Sequence, residues 1–121
     1  MKAALHASPD KPWVVCTDED VFPHGDSSLP PALSVLPNVI EKSERSVIVH
    51  GLGDFILIAE GARIVLQNMT WAGDQGFQSA PADDSFVIDG FGAYGTVQAE
   101  RGLAYYEVSL CGHMVCPLLK H

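Results

Sequence analysis

The sequence predicts an α/β fold, of which this chain supplies only a part, on three observations. Residues 46–50 form a continuous β-branched run, as in a strand that is buried on both faces. Residues 93–98 and 103–110 flank a turn that contains glycine, a pattern typical of a β-hairpin. Residues 31–42 have the spacing of apolar side chains that favours a helix. Because a strand buried on both faces needs parallel neighbours and covering helices, we expect these few elements to belong to a larger sheet.

The N-terminal part of the chain is predicted to be mostly irregular until this helix begins. Residues 1–7 fit a short helix or a strand remnant, and residues 8–31 contain five of the eight prolines. The tripeptide at 26–28, Asp-Ser-Ser, is suited to cap a helix over residues 31–42. Pro37 lies inside that helix, where proline disfavours the helical ladder. The apolar side chains that define its predicted face are Leu33, Leu36, Val39 and Ile40.

The elements after the buried strand are predicted in the following order. The strand stops at residues 51–54, a loop with two glycines that ends at Asp54. Residues 55–69 are apolar and fit a helix or a strand, whereas residues 71–90 are rich in turn formers and predict a long surface excursion. The C-terminal β-hairpin then has a four-residue turn at 99–102, and His113 follows directly on its second strand.

Composition excludes several classes of partner. The net charge is −8, from 15 acidic and 7 basic residues, and phosphates or anionic lipid surfaces require the opposite balance. We therefore expect no binding to nucleic acid or to membranes. No apolar run approaches the length of a transmembrane helix. The apolar start of the chain ends at His6, so we also expect no signal peptide in this sequence.

A glycine motif at residues 90–95 matches the dinucleotide-binding pattern G-x-G-x-x-G. That motif binds a pyrophosphate only when a strand precedes it and a helix opens from it. Residues 96–98, however, are short and β-like, and a glycine-bearing turn follows them. The sequence therefore favours a glycine-rich approach of two strands over a nucleotide site.

The C-terminus offers four side chains that could ligate zinc, at positions 111, 113, 116 and 121. Cysteine and histidine are the usual zinc ligands, but their spacing here matches no paired C-x-x-C or H-x-x-x-H pattern. His121 is also the last residue. We expect no metal site and no cofactor, and the simpler interpretation is two incidental cysteines near a functional histidine.

Asp54 and His113 form the most informative pair of polar residues. Each is predicted to follow the end of a strand, where α/β sheets place functional groups. An acid followed later in the chain by a histidine matches the end of the Ser…Asp…His order of α/β-hydrolases. In that triad the carboxylate orients the imidazole, and the imidazole takes the proton of the serine. The other interpretation is a turn aspartate and an unrelated surface histidine.

The nucleophile of such a triad is the part that this sequence does not supply. A nucleophile elbow requires serine within G-x-S-x-G, on a sharp turn between a strand and a helix. None of the nine serines has glycine at both required offsets, including every serine before Asp54. We therefore expect that this chain alone cannot perform serine catalysis.

Three blocks of sequence resemble the serine carboxypeptidase family, most closely its fungal members. The third block ends in the motif G-H-M-V, which is fairly specific, and the three occur in the order of the family. They are Ala3–Ala7 with Trp13–Cys16, then Ser46–Phe55, then Gly102–Val108 with Gly112–Val115.

The resemblance implies an α/β-hydrolase fold and removal of the C-terminal residue from peptides that have a free C-terminus. It implies Asp54 as the triad acid, His113 as the triad base and Met114 as a neighbour of the substrate. The family acts in vacuoles, lysosomes or outside the cell, so a secreted or vacuolar location is implied. In the secretory pathway, the triplet that begins at Asn68, Asn-Met-Thr, would be a glycosylation site.

Departures from the family pattern leave alternatives open. Residues 1–121 resemble only the C-terminal segment, because the family's serine, oxyanion-hole amides and carboxylate-binding residues precede this region. G-H-M-V continues in the family into proline and a final helix, whereas Cys116 follows it here. The resemblance further implies that Cys16 pairs upstream. The alternatives are a non-catalytic remnant or binding module that keeps the hydrolase surface, and a small metal-binding domain.

Overall fold

The computed structural model describes residues 22–115, so the expectations for residues 1–7, Cys16, Cys116 and His121 lie outside the described residues. Between Phe22 and Val115 the chain forms two helices and six strands. In chain order these elements are α1 (Pro31–Lys42), β1 (Ser46–Gly51), α2 (Ala59–Asn68), β2 (Thr70–Trp71), β3 (Asp74–Gln75), β4 (Ala82–Ile88), β5 (Gly92–Glu100) and β6 (Leu103–Val108). No helix in this part of the chain is long and apolar enough to cross a membrane.

The main sheet has the strand order β1-β6-β5-β4, and β2 pairs with β3 in a small separate ribbon. Strands β1 and β6 are parallel, whereas β5 is antiparallel to both β4 and β6. The parallel pair begins with Ser46 beside Leu103 and ends with Gly51 beside Val108. Because parallel strands end at the same edge of a sheet, the loops that follow β1 and β6 meet there.

One face of this sheet carries the hydrophobic core. Trp71 is fully buried in it and meets Phe77 edge to face, with ring centroids 5.3 Å apart. The guanidinium of Arg101 lies 4.1 Å from the centre of the Trp71 ring, within cation–π distance. The buried cluster comprises Ile40, Leu66, Met69, Trp71, Phe77, Leu103 and Tyr105. Both helices and the small ribbon therefore pack on the same side of the sheet.

The helix predicted at 31–42 is confirmed, but its predicted cap is wrong. The residue before the helix is Pro30, which makes no capping hydrogen bond. Pro31 occupies the first turn, where the missing N–H costs nothing. Asp26 instead accepts a hydrogen bond from the amide of Ser28, which closes a local turn outside the helix. Pro37 stays inside the helix, whose buried side chain is Ile40.

Strand β1 is confirmed in position, and within the described residues only one of its faces is covered. Val47 and Val49 are 54% and 44% exposed. Ile48, which points to the other face, packs against the core. Successive side chains of a strand alternate between faces, and both helices pack on only one face here. The β-branched run thus reflects strand propensity as well as burial.

The predicted surface excursion at 71–90 is also wrong over much of its length. It contains the end of β2, the whole of β3 and the seven-residue strand β4. Trp71 and Phe77, near its start, are core residues. Turn-forming residues dominate the sequence pattern of this segment, although β2 pairs with the adjacent β3 and β4 pairs with the adjacent β5.

The C-terminal hairpin is confirmed as β5 and β6, with a turn of two residues instead of four. Arg101 and Gly102 have φ values of 47° and 81°. Two consecutive positive φ values are the signature of the tight turn whose twist matches that of paired strands. The second strand ends at Val108, two residues before the predicted end.

The glycine motif at 90–95 joins β4 to β5 and opens into that strand, not into a helix. The interpretation as a close approach of strands is confirmed at Gly95. A Cβ atom at this position would lie 1.8 Å from the carbonyl oxygen of Glu107 on β6. Only glycine fits at such a distance.

Helix α2 resolves the ambiguous segment at 55–69 and is tied to the sheet by an ion pair. Arg63 donates two hydrogen bonds to the two carboxylate oxygens of Glu107, at 2.6 and 2.8 Å. Burial raises the pKa of Glu107, but hydrogen bonds from Arg63, Tyr105 and Thr96, together with the charge of Arg63, outweigh it and lower that pKa below its usual value. This two-point contact fixes the helix that follows the Asp54 loop.

Candidate active site

The loops after β1 and β6 are joined by backbone hydrogen bonds. The amide of Leu52 donates to the carbonyl of Val108 at 2.9 Å, and the amide of Gly53 donates to the carbonyl of Cys111 at 2.7 Å. The first loop leads to Asp54 and the second to His113. Two segments that lie 59 residues apart in sequence are thus held side by side at one sheet edge.

Gly51 allows the two loops to come this close. A Cβ atom at position 51 would lie 2.5 Å from the carbonyl oxygens of both Cys111 and Gly112. At Gly53 the nearest atom would be the carbonyl oxygen of Cys111, at 3.2 Å. Both glycines of the loop therefore serve to seat the segment that carries the histidine, and Gly51 has no room for any side chain.

The side chains of Asp54 and His113 meet directly at this junction. The Nδ1 atom of His113 lies 2.9 Å from Oδ2 of Asp54. The Asp54 side chain is 5% exposed, whereas that of His113 is 45% exposed. The carboxylate is therefore buried behind the imidazole, and the imidazole opens to solvent.

The second carboxylate oxygen of Asp54 is held by the backbone of its own loop. Oδ1 accepts hydrogen bonds from the amides of Ile56, at 2.8 Å, and Leu57, at 3.0 Å. Burial raises the pKa of Asp54, but hydrogen bonds from the Leu57 amide, His113 and the Ile56 amide together outweigh it. They lower that pKa to about 2. Asp54 is therefore ionised at neutral pH.

The ionised carboxylate determines which nitrogen of His113 carries the proton. A carboxylate can only accept hydrogen bonds, so Nδ1 of His113 must be the donor in this contact. In the neutral imidazole, the other nitrogen, Nε2, then has a free lone pair. The arrangement is that of a base that is ready to take a proton at Nε2, with a carboxylate to stabilise the imidazolium that results.

A second histidine, which the sequence patterns did not single out, lies beside the same carboxylate. Nε2 of His50 is 2.8 Å from the carbonyl oxygen of Leu57 and 3.9 Å from Oδ2 of Asp54. His50 is the fifth residue of β1, and its side chain lies on the face of the strand that packs against the core. Because it follows a run of β-branched residues, the sequence predicts it only as an ordinary strand residue. The contact between His50 and Leu57 is visible only in the folded chain.

Exposed apolar residues follow both Asp54 and His113 in the sequence. Met114, next to His113, is 85% exposed, and Phe55, next to Asp54, is 93% exposed. Ile56, Leu57 and Ile58 are also exposed. Contiguous exposed apolar side chains are typical of binding surfaces.

The part of the chain that the structure describes offers little for a metal at this site. Cys111 is disulfide-bonded, so its sulfur is not a thiolate ligand. Among residues 22–115, no three His, Cys, Asp or Glu side chains are grouped so that they could hold a metal ion. His113 directs its Nδ1 to Asp54, as described above, and the other two candidate ligands lie outside the described residues.

Comparison with known proteins decides the family. The model of the serine carboxypeptidase family matches residues 1–120. The chain belongs to the serine carboxypeptidase family. The resemblance inferred from the three sequence blocks is therefore confirmed.

Two curated fungal relatives and one crystal structure give the extent of this similarity. A probable serine carboxypeptidase of Arthroderma benhamiae is 40% identical, and the match covers 94% of this chain and 23% of that protein. A carboxypeptidase Y homolog of the same organism is 38% identical, over 95% of this chain and 25% of that protein. A prohormone-processing carboxypeptidase from Saccharomyces cerevisiae has a similar structure, with a TM-score of 0.55 and 27% identity. That match covers 66% of this chain and 18% of the other.

These matches confirm the predicted fold class, a partial α/β fold of the α/β-hydrolase type. This serine carboxypeptidase segment spans about a quarter of the length of the curated relatives that it matches. Within that quarter, the sequence predicted the two polar residues that the structure brings into contact. It did not predict the two backbone amides or the histidine at position 50 that surround the carboxylate.

Proposed function

We propose that this chain supplies the acid and the base of a serine-type carboxypeptidase, which removes C-terminal residues from peptides. The contact that supports this proposal is the 2.9 Å hydrogen bond from His113 Nδ1 to the buried carboxylate of Asp54. In residues 22–115, no serine hydroxyl hydrogen-bonds to either residue. In this proposal the nucleophilic serine comes from a part of the enzyme outside these 121 residues, which correspond to a C-terminal segment.

Each proton in the proposed reaction has a defined place. The serine Oγ attacks the carbonyl carbon of the last peptide bond, and its proton passes to Nε2 of His113. The imidazolium is stabilised by Asp54, and it then gives that proton to the amine of the leaving residue as the peptide bond breaks. Water attacks the acyl-enzyme ester with His113 again as the base, which frees the serine and the shortened peptide.

The substrate in this proposal lies against the open side of His113. Met114 follows His113 directly and is almost fully exposed, so we assign it as a residue close to the substrate. The apolar residues 55–58 flank the same opening. Such a surface would suit the apolar side chains of a peptide, and the negative charge of the chain gives no reason to expect a nucleic acid partner.

Labelling with a fluorophosphonate tests the proposal. The probe phosphonylates activated serines, with loss of fluoride, so the 121-residue chain should remain unlabelled. A chimera, in which this chain replaces the matching segment of a fungal carboxypeptidase, should be labelled and should release C-terminal amino acids. Labelling of the chain alone would show a nucleophile within it. A folded chimera that neither reacts nor hydrolyses peptides would contradict the proposal.

A location in the secretory pathway, either vacuolar or extracellular, belongs to the same proposal and predicts glycosylation of Asn68. This asparagine is exposed at the end of α2, and Thr70, the acceptor-motif threonine, is exposed two residues later. Expression in a fungal secretory host should give a glycoprotein whose electrophoretic mobility increases after glycosidase treatment. Asn68→Gln should abolish this shift, whereas Asn38→Gln, which changes an asparagine outside any such triplet, should leave it intact. An unshifted wild-type protein would refute the prediction.

A further inference from the structure

We infer that His50 is a positioning residue for the proposed catalytic pair, because its Nε2–H holds the peptide carbonyl of Leu57 in place behind Asp54. This inference rests on the proposed function, because it assigns a role in the same site. His50 touches no reacting atom. It acts on the loop whose amides orient the carboxylate.

The hydrogen bonds around Leu57 form a short chain that links β1 to the catalytic acid. The amide of Leu57 donates to Oδ1 of Asp54 at 3.0 Å, and the carbonyl of Leu57 lies 2.8 Å from Nε2 of His50. A carbonyl oxygen can only accept, so Nε2 of His50 carries the proton in this contact. Leu57 is therefore fixed on both sides, once by the carboxylate and once by His50.

Within residues 22–115, packing contributes little to the position of this loop. Residues 55–58 expose between 56% and 93% of their surface, although all four are large and apolar. A segment that buries so little apolar surface is fixed mainly by its hydrogen bonds. His50 is itself anchored, because its side chain is only 14% exposed on a strand that is paired along its length with β6. The rigid element thus determines where the exposed loop lies.

The position of the loop in turn determines the orientation of Asp54. The amides of Ile56 and Leu57 are both bonded to Oδ1, which leaves Oδ2 for His113. A shift of the Leu57 peptide would rotate the carboxylate or leave Oδ1 without its partners. Either change would misalign the imidazole, and a displacement of about 1 Å at a catalytic group can reduce turnover about 100-fold.

Two substitutions separate the hydrogen bond of His50 from its volume. His50→Gln retains an N–H donor at a similar reach, whereas His50→Phe retains a ring of similar size without a donor. In the chimera described above, we expect His50→Phe to lower kcat about 10-fold with little change in KM, since the effect falls on the catalytic base and not on substrate binding. His50→Gln should recover most of the loss.

Amide hydrogen exchange gives a readout that does not depend on activity. In His50→Phe, the amides of Ile56 and Leu57 should lose protection, while those of the β5–β6 pair keep it. A general loss of stability would affect both groups of amides.

Two results would overturn the inference. One is wild-type kcat together with unchanged protection at Ile56 and Leu57 in His50→Phe. The other is an equal defect in His50→Gln and His50→Phe, which would show that the imidazole itself matters and not its donor. His113→Ala in the same chimera keeps the two questions apart. If that variant retains full activity, the proposed triad fails; if it is inactive while His50→Phe behaves as wild type, only the role of His50 fails.

Discussion

Replacing His113 by alanine in the chimera should reduce kcat/KM for a peptide substrate by several orders of magnitude. In the proposed mechanism the imidazole takes the proton of the serine, and removal of a triad base costs about 10⁴-fold or more. Asp54→Asn should cost a similar factor, about 10⁴-fold, with the fold intact. The amide would still occupy the site, but it cannot stabilise an imidazolium and it favours the wrong tautomer of His113.

Steady-state hydrolysis of a blocked dipeptide, measured with thermal unfolding of each variant, would check this expectation. His24→Ala is a suitable control because His24 is exposed and lies outside the secondary-structure elements. It should retain wild-type kinetics. The double variant of Asp54 and His113 should be no worse than His113→Ala, because groups that act as a unit are not additive. If His113→Ala turned over substrate within a few-fold of the wild-type rate, His113 would be excluded as the base.

Gly51→Ala should have the second-largest effect, although position 51 carries no chemistry. The new methyl group would lie 2.5 Å from two backbone carbonyl oxygens, those of Cys111 and Gly112. Backbone carbonyl groups cannot rotate away from the methyl group as a flexible side chain could. The loop that carries His113 must therefore move by about 1 Å. We expect kcat to fall about 100-fold and the free energy of unfolding to fall by about 1–3 kcal/mol.

Two other glycines provide a graded comparison for this variant. Gly53→Ala meets its nearest atom at 3.2 Å, so its effect should be smaller than that of Gly51→Ala. Gly61 lies inside α2 with no atom within 4 Å of the added methyl group. Gly61→Ala should therefore leave kcat unchanged and stabilise the helix by about 0.5–1 kcal/mol. A Gly51→Ala enzyme with normal kcat would show that the histidine loop does not depend on this close approach.

The elements of this fold were predictable where local pattern and tertiary environment agree. The helix at Pro31–Lys42 has helical spacing of its apolar residues, and the final hairpin has two β-rich runs joined by a short turn. Both signals lie within a short stretch of sequence. The ambiguous segment before Met69 contains helix α2, which Arg63 joins to Glu107, 44 residues away in the sequence. Strand β4 has no clear strand pattern in the sequence for a different reason, since polar residues such as Asp83 and Asp84 are tolerated in a strand at the edge of the sheet.

The sequence by itself determined the family, the residue types of the proposed catalytic pair and their order in the chain. Those features are local, because each lies in a short motif after a strand. Only the tertiary structure decided that Asp54 Oδ2 meets Nδ1 of His113, that Gly51 makes this approach possible and that His50 lies behind the same loop. These contacts arise because β1 and β6 are parallel and end at one edge of the sheet, and strand pairing between distant segments leaves no local signal in the sequence.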